Sequence, residues 1–410
     1  MQMEAQISKR RVFAWISSLL AIVASAAVYL SMTGESGLAK QSSSARPHEV
    51  TRLDAKRAEG LGWRSDGLDA VFGFVATLST DSFVIVTNGE VVGAYGDLRK
   101  QYSTHSMRKS FLSALVGMHL GPGAGQISLD ATLEELGIDD APEPLTAKQR
   151  QATVRHLLKS VSGISHPAAA SGSLQADIDR RLGNRENEPG TIWAYNNWDY
   201  NALTTIFEMR TGLGIAEAFH QGIAVPSGME GFDIGAVSYV ADASLSVHKA
   251  AAFRMSARDL VRFGQIYLNN GRIGDRQIVP REWVNRITEN FTQTGMDGLR
   301  WGHGYLWWIP GPGTGLPEGT FWSWGLGNQA LFVVPEWNTL IIHQSETAEF
   351  LKRFVPMVER DGMKGEVAIE HLILSCLEPE NRESDYCAEH RFTTRREFDK
   401  LISLIVKARN

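Results

Sequence analysis

A serine followed three residues later by a lysine is the first feature of this chain that could carry chemistry. The sequence reads Ser106-Met107-Arg108-Lys109 at the start of a predicted helix. Three residues along a helix return to nearly the same face, so the Lys109 amine could reach the Ser106 hydroxyl and keep it activated as a nucleophile. By itself the pattern also fits a helix N-cap serine followed by an exposed lysine.

Two further segments supply the other groups that such a nucleophile needs. Tyr195-Asn196-Asn197 is a Tyr-x-Asn triplet in a polar stretch before another predicted helix. Its tyrosine can relay protons, and its asparagine can hold a substrate carbonyl. The segment Ser323–Gln329 places Gly325 and Gly327 at the entry to a strand, where substrate can lie against backbone. Taken singly these segments are ordinary turns, but the three together in this order favour an acyl-transfer site.

The elements that must position these residues follow from the periodicity of the apolar side chains. Ser106–Leu120 has the three- and four-residue spacing of an amphipathic helix, and Asn88-Gly89 is typical of a tight hairpin. Further helices are predicted over Val154–Lys159, Tyr200–Arg210, Ala257–Leu268 and Arg395–Ala408, and strands over Phe83–Val86, Val91–Tyr95, Gln329–Pro335 and Thr339–Gln344. We therefore expect an α/β (α+β) fold in which an antiparallel sheet uses both ends of the chain, with a helical lobe inserted over roughly residues 127–320.

The chain resembles the serine β-lactamase-related hydrolases, a family that includes class C β-lactamases, D-aminopeptidases, family VIII esterases and 6-aminohexanoate-dimer hydrolases. The last two groups are the most similar in pattern. The resemblance rests on Tyr102–Phe111, Thr153–Ile164, Tyr195–Asn197, Pro226–Met229, Met255–Leu260 and Gly325–Gln329 with the following Val334–Glu336. It implies a β-lactamase/penicillin-binding-protein-like fold, with the site in a cleft between an α/β lobe and an all-helical lobe.

The resemblance also implies a role for each residue of the site. Ser106 would be the nucleophile, Lys109 its activator and Tyr195 the general acid/base toward the leaving group. Asn197 would orient Lys109 and the substrate carbonyl, and the backbone N–H groups of Ser106 and of Leu326, just after Gly325, would form the oxyanion hole. The substrate would be a small ester or amide, and no cofactor or metal would be needed.

One departure from the family pattern bears on the substrate. β-Lactamases carry Lys or His two positions before this glycine, as a partner for the drug's carboxylate, whereas Ser323-Trp324 precede Gly325 here. We therefore expect recognition by shape or apolar contact, with Trp307, Trp308, Trp322 and Trp324 as candidate pocket residues. The missing cation also disfavours a D-Ala-D-Ala peptidase.

The sequence argues against two other functions for these residues. A Ser-His-Asp triad is disfavoured, since no Gly-x-Ser-x-Gly elbow is present and neither His105 nor His303 is spaced to pair with a carboxylate. The remaining alternative from another class is a catalytically silent, membrane-tethered cleft that binds peptidoglycan fragments or a protein partner. The presence of Ser106, Lys109 and Tyr195 together argues against it.

The two ends of the chain indicate where the protein works. Basic residues precede an apolar run over residues 12–32, and Ala24-Ser25-Ala26 has the form of a signal-peptidase site, so residues 1–32 are a signal peptide or a membrane anchor. A flexible linker (33–50) then leads to a hydrolase domain (51–410), which we expect outside the cytoplasm, in the periplasm or secreted. Cys376 and Cys387 are the only cysteines, and in an oxidising compartment they are predicted to form a disulfide.

Composition excludes other classes of function. The 410 residues are 43% hydrophobic and 21% charged, which is ordinary for a globular protein of this size. The formal net charge of -5 is small, and no basic stripe with interleaved aromatic residues is present. Nothing in the sequence therefore favours a nucleic-acid partner.

Overall fold

A large antiparallel sheet forms the centre of the protein. The computed structural model describes residues 50–171, 174–183, 187–347 and 393–409, and within these residues the sheet has nine strands. The strands are β1 (Val50–Arg52), β2 (Ser82–Thr87), β3 (Glu90–Gly96), β9 (Thr292–Gln293), β10 (Gly302–Gly304), β11 (Trp307–Ile309), β12 (Phe321–Gly325), β13 (Gln329–Val334) and β14 (Thr339–Gln344). They pair in the order β1-β3-β2-β14-β13-β12-β11-β10-β9. Strands β2 and β14 pair directly, so both ends of the chain build the sheet, as predicted.

Two smaller sheets lie outside the main one. The first consists of β4 (Gln101–Ser103), β6 (Ser246–Ser256) and β5 (Val237–Asp242), and the second of β7 (Arg272–Ile273) and β8 (Arg276–Gln277). The hairpin between β2 and β3 turns at Asn88 and Gly89, which have φ angles of 52° and 80°. Positive φ at both central residues is the requirement that the Asn-Gly dipeptide meets, and this prediction is confirmed.

The helices of the described residues are mostly short. They are α1 (Ala55–Gly60), α2 (Ser65–Val75), α3 (Arg108–Met118), α4 (Val154–Leu158), α5 (Leu174–Leu182), α6 (Asn197–Thr211), α7 (Ile215–Phe219), α8 (Val225–Ser227), α9 (Ala257–Leu268), α10 (Arg281–Glu289) and α11 (Arg395–Ala408). The predicted helices at α9 and α11 have the observed bounds. None of the described helices is long and apolar enough to cross a bilayer.

Helices cover both faces of the sheet because the side chains of its central strands alternate. A Cβ added to Gly264 of α9 would meet Leu331 and Leu340, so these two side chains point toward α9. The next residue, Phe332, points the other way and lies 6.2 Å from Phe398 of α11, measured between ring centroids. The predicted antiparallel sheet flanked by helices is therefore confirmed.

The predicted helical lobe differs from the observed chain between residues 127 and 320. The five helices α4 to α8 lie between residues 154 and 227, but β5 and β6 follow them, and β9 to β11 extend the main sheet. An all-helical lobe over this whole range is therefore wrong. The short strands escaped prediction because segments of two or three residues carry no periodicity.

Several predictions from the sequence concern residues outside the described part of the chain. The export segment (1–32) and the disulfide between Cys376 and Cys387 are among them. The linker (33–50) also lies outside it, except for its last residue, Val50, which begins β1. The export segment, the linker and the disulfide remain predictions.

Candidate active site

Ser106 and Lys109 meet as the helical spacing predicts. Ser106 is the middle residue of a 3₁₀ turn, His105–Met107, that runs directly into α3. The Nζ atom of Lys109 donates a hydrogen bond of 2.7 Å to the Ser106 Oγ atom. Ser106 is half-buried, whereas the Lys109 side chain is only 2% exposed. The nucleophile candidate thus faces outward and its amine partner faces inward.

Burial of Lys109 changes its proton affinity. Removal from water disfavours the ammonium form and, together with the positive charge of Arg108, holds the pKa of Lys109 well below its ordinary value. A lysine in this state carries a free electron pair and can accept the proton of a neighbouring hydroxyl. The 2.7 Å contact places the Ser106 hydroxyl within its reach.

Tyr195 lies next to Lys109. The Nζ atom of Lys109 is 4.6 Å from the centroid of the Tyr195 ring, and the Ser106 side chain interacts with the Tyr195 hydroxyl. Burial raises the pKa of Tyr195 to about 12, although Ser106, Arg108 and Arg300 act in the opposite direction. Tyr195 is therefore protonated at neutral pH and is poised to donate a proton.

Asn197 is the first residue of α6, and its neighbour Asn196 is the N-cap, whose side chain accepts a hydrogen bond from the Trp198 backbone N–H. The Asn197 amide nitrogen donates to the Ala170 carbonyl, while its Oδ1 atom is buried without a partner in the described part of the chain. Among the described residues its side-chain hydrogen bonds do not include one to Lys109, the partner that the resemblance implied. The unpaired oxygen is an acceptor that an incoming N–H group could satisfy.

Gly325 brings the end of β12 against the turn that carries Ser106. A Cβ atom placed on Gly325 would lie 2.3 Å from the Thr104 carbonyl oxygen and 3.2 Å from the Ser106 nitrogen. Leu326, the next residue, begins a 3₁₀ turn (Leu326–Asn328), and the first N–H groups of such turns have no internal partner. The two amides implied for an oxyanion hole thus belong to adjoining segments.

Behind Lys109 lies a set of polar groups that the sequence analysis did not connect. The Lys109 Nζ atom is 4.9 Å from the centroid of the Tyr200 ring, and the Tyr200 hydroxyl lies 2.7 Å from the Ser160 Oγ atom. Ser160 Oγ is in turn 3.4 Å from Nδ1 of His303, whose pKa burial lowers to about 3. These residues are far apart in sequence, and no local spacing pattern connects them. Among the described residues no group of His, Cys, Asp and Glu side chains could hold a metal ion.

Comparison with known proteins identifies the family of the chain. The family model described as Beta-lactamase matches residues 69–353, which is more than half of the chain. The chain belongs to the beta-lactamase family. It is 25% identical over 266 residues to an uncharacterised protein of Alkalihalophilus pseudofirmus. The aligned residues cover 59% of this chain and 72% of that protein.

Solved structures show the same fold. The octameric penicillin-binding protein homologue of Pyrococcus abyssi is 20% identical, with a TM-score of 0.50 and coverage of 73% of this chain and 78% of that one. A candidate 6-aminohexanoate-dimer hydrolase of Bacillus anthracis is 24% identical, with a TM-score of 0.48 and coverage of 68% and 76%. The family model and the Pyrococcus abyssi structure together show the β-lactamase and penicillin-binding-protein fold expected from the sequence, and the family is one of hydrolases.

The position that carries a cation in β-lactamases holds a buried serine in this beta-lactamase family member. Ser323 is 1% exposed, and its hydroxyl lies 2.8 Å from that of Ser110 on α3. Ser110 also donates to the Leu306 carbonyl. Ser323 thus links β12 by a buried hydrogen bond to the helix that carries Lys109.

The four candidate pocket tryptophans divide into two pairs. Trp308 stacks on Tyr195 with ring centroids 5.2 Å apart, and Trp324, which is half-buried, lies 6.3 Å from Trp308. Trp307 and Trp322 are instead fully buried and stack on Phe263 and Phe332. Only Trp308 and Trp324 therefore belong to the wall of the site.

Arg300 places a cation against the ring of Trp324, the residue before Gly325. It ends a 3₁₀ turn (Gly298–Arg300), and its guanidinium carbon lies 5.3 Å from the centroid of the Trp324 ring. Because 25 residues separate it from Gly325 in the chain, no spacing pattern connects the two. The expectation that the strand itself carries no cation before Gly325 is consistent with Ser323 and Trp324 at these positions.

Proposed function

We propose that this chain is a serine hydrolase that cleaves an ester or amide bond through an acyl-enzyme on Ser106. The observation that carries the proposal is the 2.7 Å contact between the Lys109 amine and the hydroxyl of a half-buried serine. A buried lysine with a lowered pKa and a buried tyrosine with a raised pKa are the base and the acid that such a serine needs.

Acylation proceeds in this scheme as a nucleophilic addition followed by loss of the leaving group. The Ser106 Oγ atom bonds to the substrate carbonyl carbon while its proton passes to the neutral Lys109 amine. The carbonyl oxygen becomes an oxyanion held by the N–H groups of Ser106 and Leu326. The C–O or C–N bond then breaks, and the leaving group takes the proton of the Tyr195 hydroxyl.

Deacylation reverses the direction of proton transfer. The Lys109 ammonium first returns its proton to the Tyr195 phenolate, which restores the starting charges. A water molecule then bonds to the acyl carbon and gives a proton to the neutral Lys109 amine. The bond between the acyl carbon and the Ser106 Oγ atom breaks, the acid leaves, and Lys109 passes its proton to Ser106. The proton gained and the proton lost balance over one turnover, and no cofactor takes part in the scheme.

The proposal also places the domain outside the cytoplasm, where residues 1–32 would direct it as a cleaved signal or as an inner-membrane anchor. The support is the basic cluster and the apolar run of the sequence. Mass spectrometry of the mature N-terminus distinguishes the two cases. A start at Ala27 indicates cleavage, and retention of residues 1–32 indicates an anchor.

The test of the catalytic proposal is intact-mass analysis after exposure to a fluorophosphonate, together with turnover of a short-chain p-nitrophenyl ester. We expect one adduct and ester hydrolysis with the wild-type protein and neither with Ser106→Ala. Ser103→Ala, on β4, is the matched control and should react as wild type. A folded wild-type protein that gains no adduct and turns over no ester would favour the catalytically silent cleft.

A further inference from the structure

We propose that Arg108 is a positioning residue of the site, whose buried and unpaired charge keeps the neighbouring Lys109 amine free of a proton so that it can activate Ser106. This inference rests on the proposed function. It deepens that function, because it assigns control of the base to a residue at one of the two unspecified positions of the Ser-x-x-Lys pattern.

Helix α3 begins with two buried cationic side chains in succession. Arg108 is 6% exposed and Lys109 is 2% exposed. The Arg108 Nη2 atom donates a hydrogen bond of 3.0 Å to the Asn201 Oδ1 atom, and the Lys109 Nζ atom lies 2.7 Å from the Ser106 Oγ atom. Both of these partners are neutral, and within the described residues no Asp or Glu charge acts on either side chain. Two cationic groups are therefore buried side by side without an anion.

The chemistry of the two side chains decides which of them loses its proton. Two neighbouring positive charges are costly to keep together away from water. A guanidinium holds its proton far above neutral pH, whereas a buried amine loses its proton readily. Burial lowers the pKa of Arg108 to about 10, with Tyr195 and Tyr200 acting in the opposite direction, so Arg108 stays charged at pH 7. Lys109 is therefore the group that becomes neutral, as the direction of its pKa shift also indicates.

The other titratable groups that face Lys109 within the described residues carry no charge at neutral pH. Tyr195, just before α6, and Tyr200, within it, present their rings to the Lys109 Nζ atom at 4.6 and 4.9 Å. Both are protonated, because burial raises the pKa of each. His105, before α3, and His303, on β10, are neutral, since burial lowers their pKa values to about 4 and about 3. None of these groups offsets a positive charge on Lys109.

The partner of the Arg108 guanidinium is an amide rather than a carboxylate. Asn201 is fully buried on α6, and its Nδ2 atom donates a hydrogen bond of 3.0 Å to the Ala169 carbonyl, which leaves its Oδ1 atom for Arg108. The buried acid of the same helix, Asp199, accepts a hydrogen bond from the Ser162 hydroxyl instead. The guanidinium is thus held in place while its charge stays uncompensated.

The experiment measures the rate at which a fluorophosphonate labels the protein between pH 4 and 10, followed by intact mass. The wild-type rate should fall at low pH as Lys109 gains a proton. Arg108→Gln keeps a hydrogen-bond donor but removes the charge, so the midpoint of this fall should move upward by about 1 pH unit, an ordinary effect of one nearby charge. At a pH below both midpoints the variant should react about tenfold more slowly than the wild type.

A second pair of variants tests the charge while Arg108 is retained. Asn201→Asp places a carboxylate where the guanidinium now meets an amide, and it should also move the midpoint to higher pH. Asn201→Ala is the matched control, because it loses the same contact to the Ala169 carbonyl without adding a charge. Its midpoint should equal that of the wild type. A purely structural role of Arg108 predicts the same midpoint for every variant that folds.

The position of the midpoint separates this inference from the proposed function. If the wild type is labelled and the profiles of Arg108→Gln and Asn201→Asp coincide with its own, the inference is wrong and the proposed function stands. If the wild type is not labelled at any pH, the proposed function is in question, and NMR of protein carrying lysine labelled with ¹³C at Cε tests the inference alone. A Lys109 titration, assigned with Lys109→Met, that moves to higher pH in Asn201→Asp supports the inference, and one that does not move overturns it.

Discussion

Replacement of Gly325 by alanine tests whether β12 forms half of the catalytic centre. The added Cβ would lie 2.3 Å from the Thr104 carbonyl oxygen, whereas carbon and oxygen normally approach to about 3.3 Å. The end of β12 must therefore retreat by roughly 1 Å, since its obstacle is backbone and cannot rotate away. This movement separates the Leu326 N–H from the Ser106 N–H, the two proposed oxyanion donors.

The expected loss follows from the value of one such donor. Removing an oxyanion donor lowers kcat by about 10²- to 10³-fold, or about 3 to 4 kcal/mol of transition-state stabilisation. Because the charge develops only in the transition state, kcat and kcat/KM should fall together while KM changes little. Phosphonylation by the fluorophosphonate should slow as well.

The assay is p-nitrophenyl ester hydrolysis by folded protein, with thermal unfolding measured in parallel. Gly73→Ala is the control, because Gly73 lies in α2 with no atom within 4 Å of an added Cβ, and it should keep wild-type activity. Overpacking at Gly325 should cost about 1 to 3 kcal/mol of stability, too little to unfold the domain. A folded Gly325→Ala with activity within threefold of wild type would refute this account of the site.

Three further outcomes are expected. Because the lowered pKa of Lys109 favours its neutral form, kcat/KM should fall only as the pH drops through that pKa. Since the pKa of Tyr195 is about 12, kcat/KM should not fall on the basic side below pH 10. A pH profile from 4 to 10 checks this, and a loss of activity above pH 8 would contradict it. Tyr195→Phe should lower kcat about 10²- to 10⁴-fold for an alkyl ester and less for a p-nitrophenyl ester, whose leaving group needs no proton; equal losses on both substrates would argue against Tyr195 as the acid. Burial acts to raise the pKa of Asp140, but hydrogen bonds from His166, Trp198 and two backbone N–H groups outweigh burial and bring the pKa to about 2. Asp140→Asn should therefore lower the free energy of unfolding, measured in urea at pH 7, by about 2 kcal/mol. The difference in stability between the two proteins should shrink as the pH falls from 4 toward 2.

Parts of the fold and site that depend on near neighbours in the chain were predictable. The contact between Ser106 and Lys109 needs only the pitch of a helix, and the hairpin at Asn88 and Gly89 needs only two residues that accept positive φ. The buried strands β13 and β14 were also predictable, because each spans six residues that include β-branched or aromatic side chains. Strands β9 and β11 were not, since two or three residues define no period.

The family resemblance joined Ser106 to Tyr195 and Gly325, but the electrostatic state of each group depends on tertiary packing. Burial, rather than mutual contact, is the main cause of the altered pKa values of Lys109 and Tyr195. Burial at a given position is the sum of contacts from α6, β6 and the main sheet, which no local pattern encodes.

The sequence by itself determined the order of the chemical groups, the helix that spaces Ser106 from Lys109, and the strand ends on which the sheet is built. Those features follow from local geometry and from the periodicity of apolar residues. Only the tertiary structure decided that Trp307 packs in the core while Trp308 faces Tyr195, and that Arg300 comes to lie over Trp324. Such contacts join segments distant in the chain, and their energies depend on how completely the surrounding side chains exclude water.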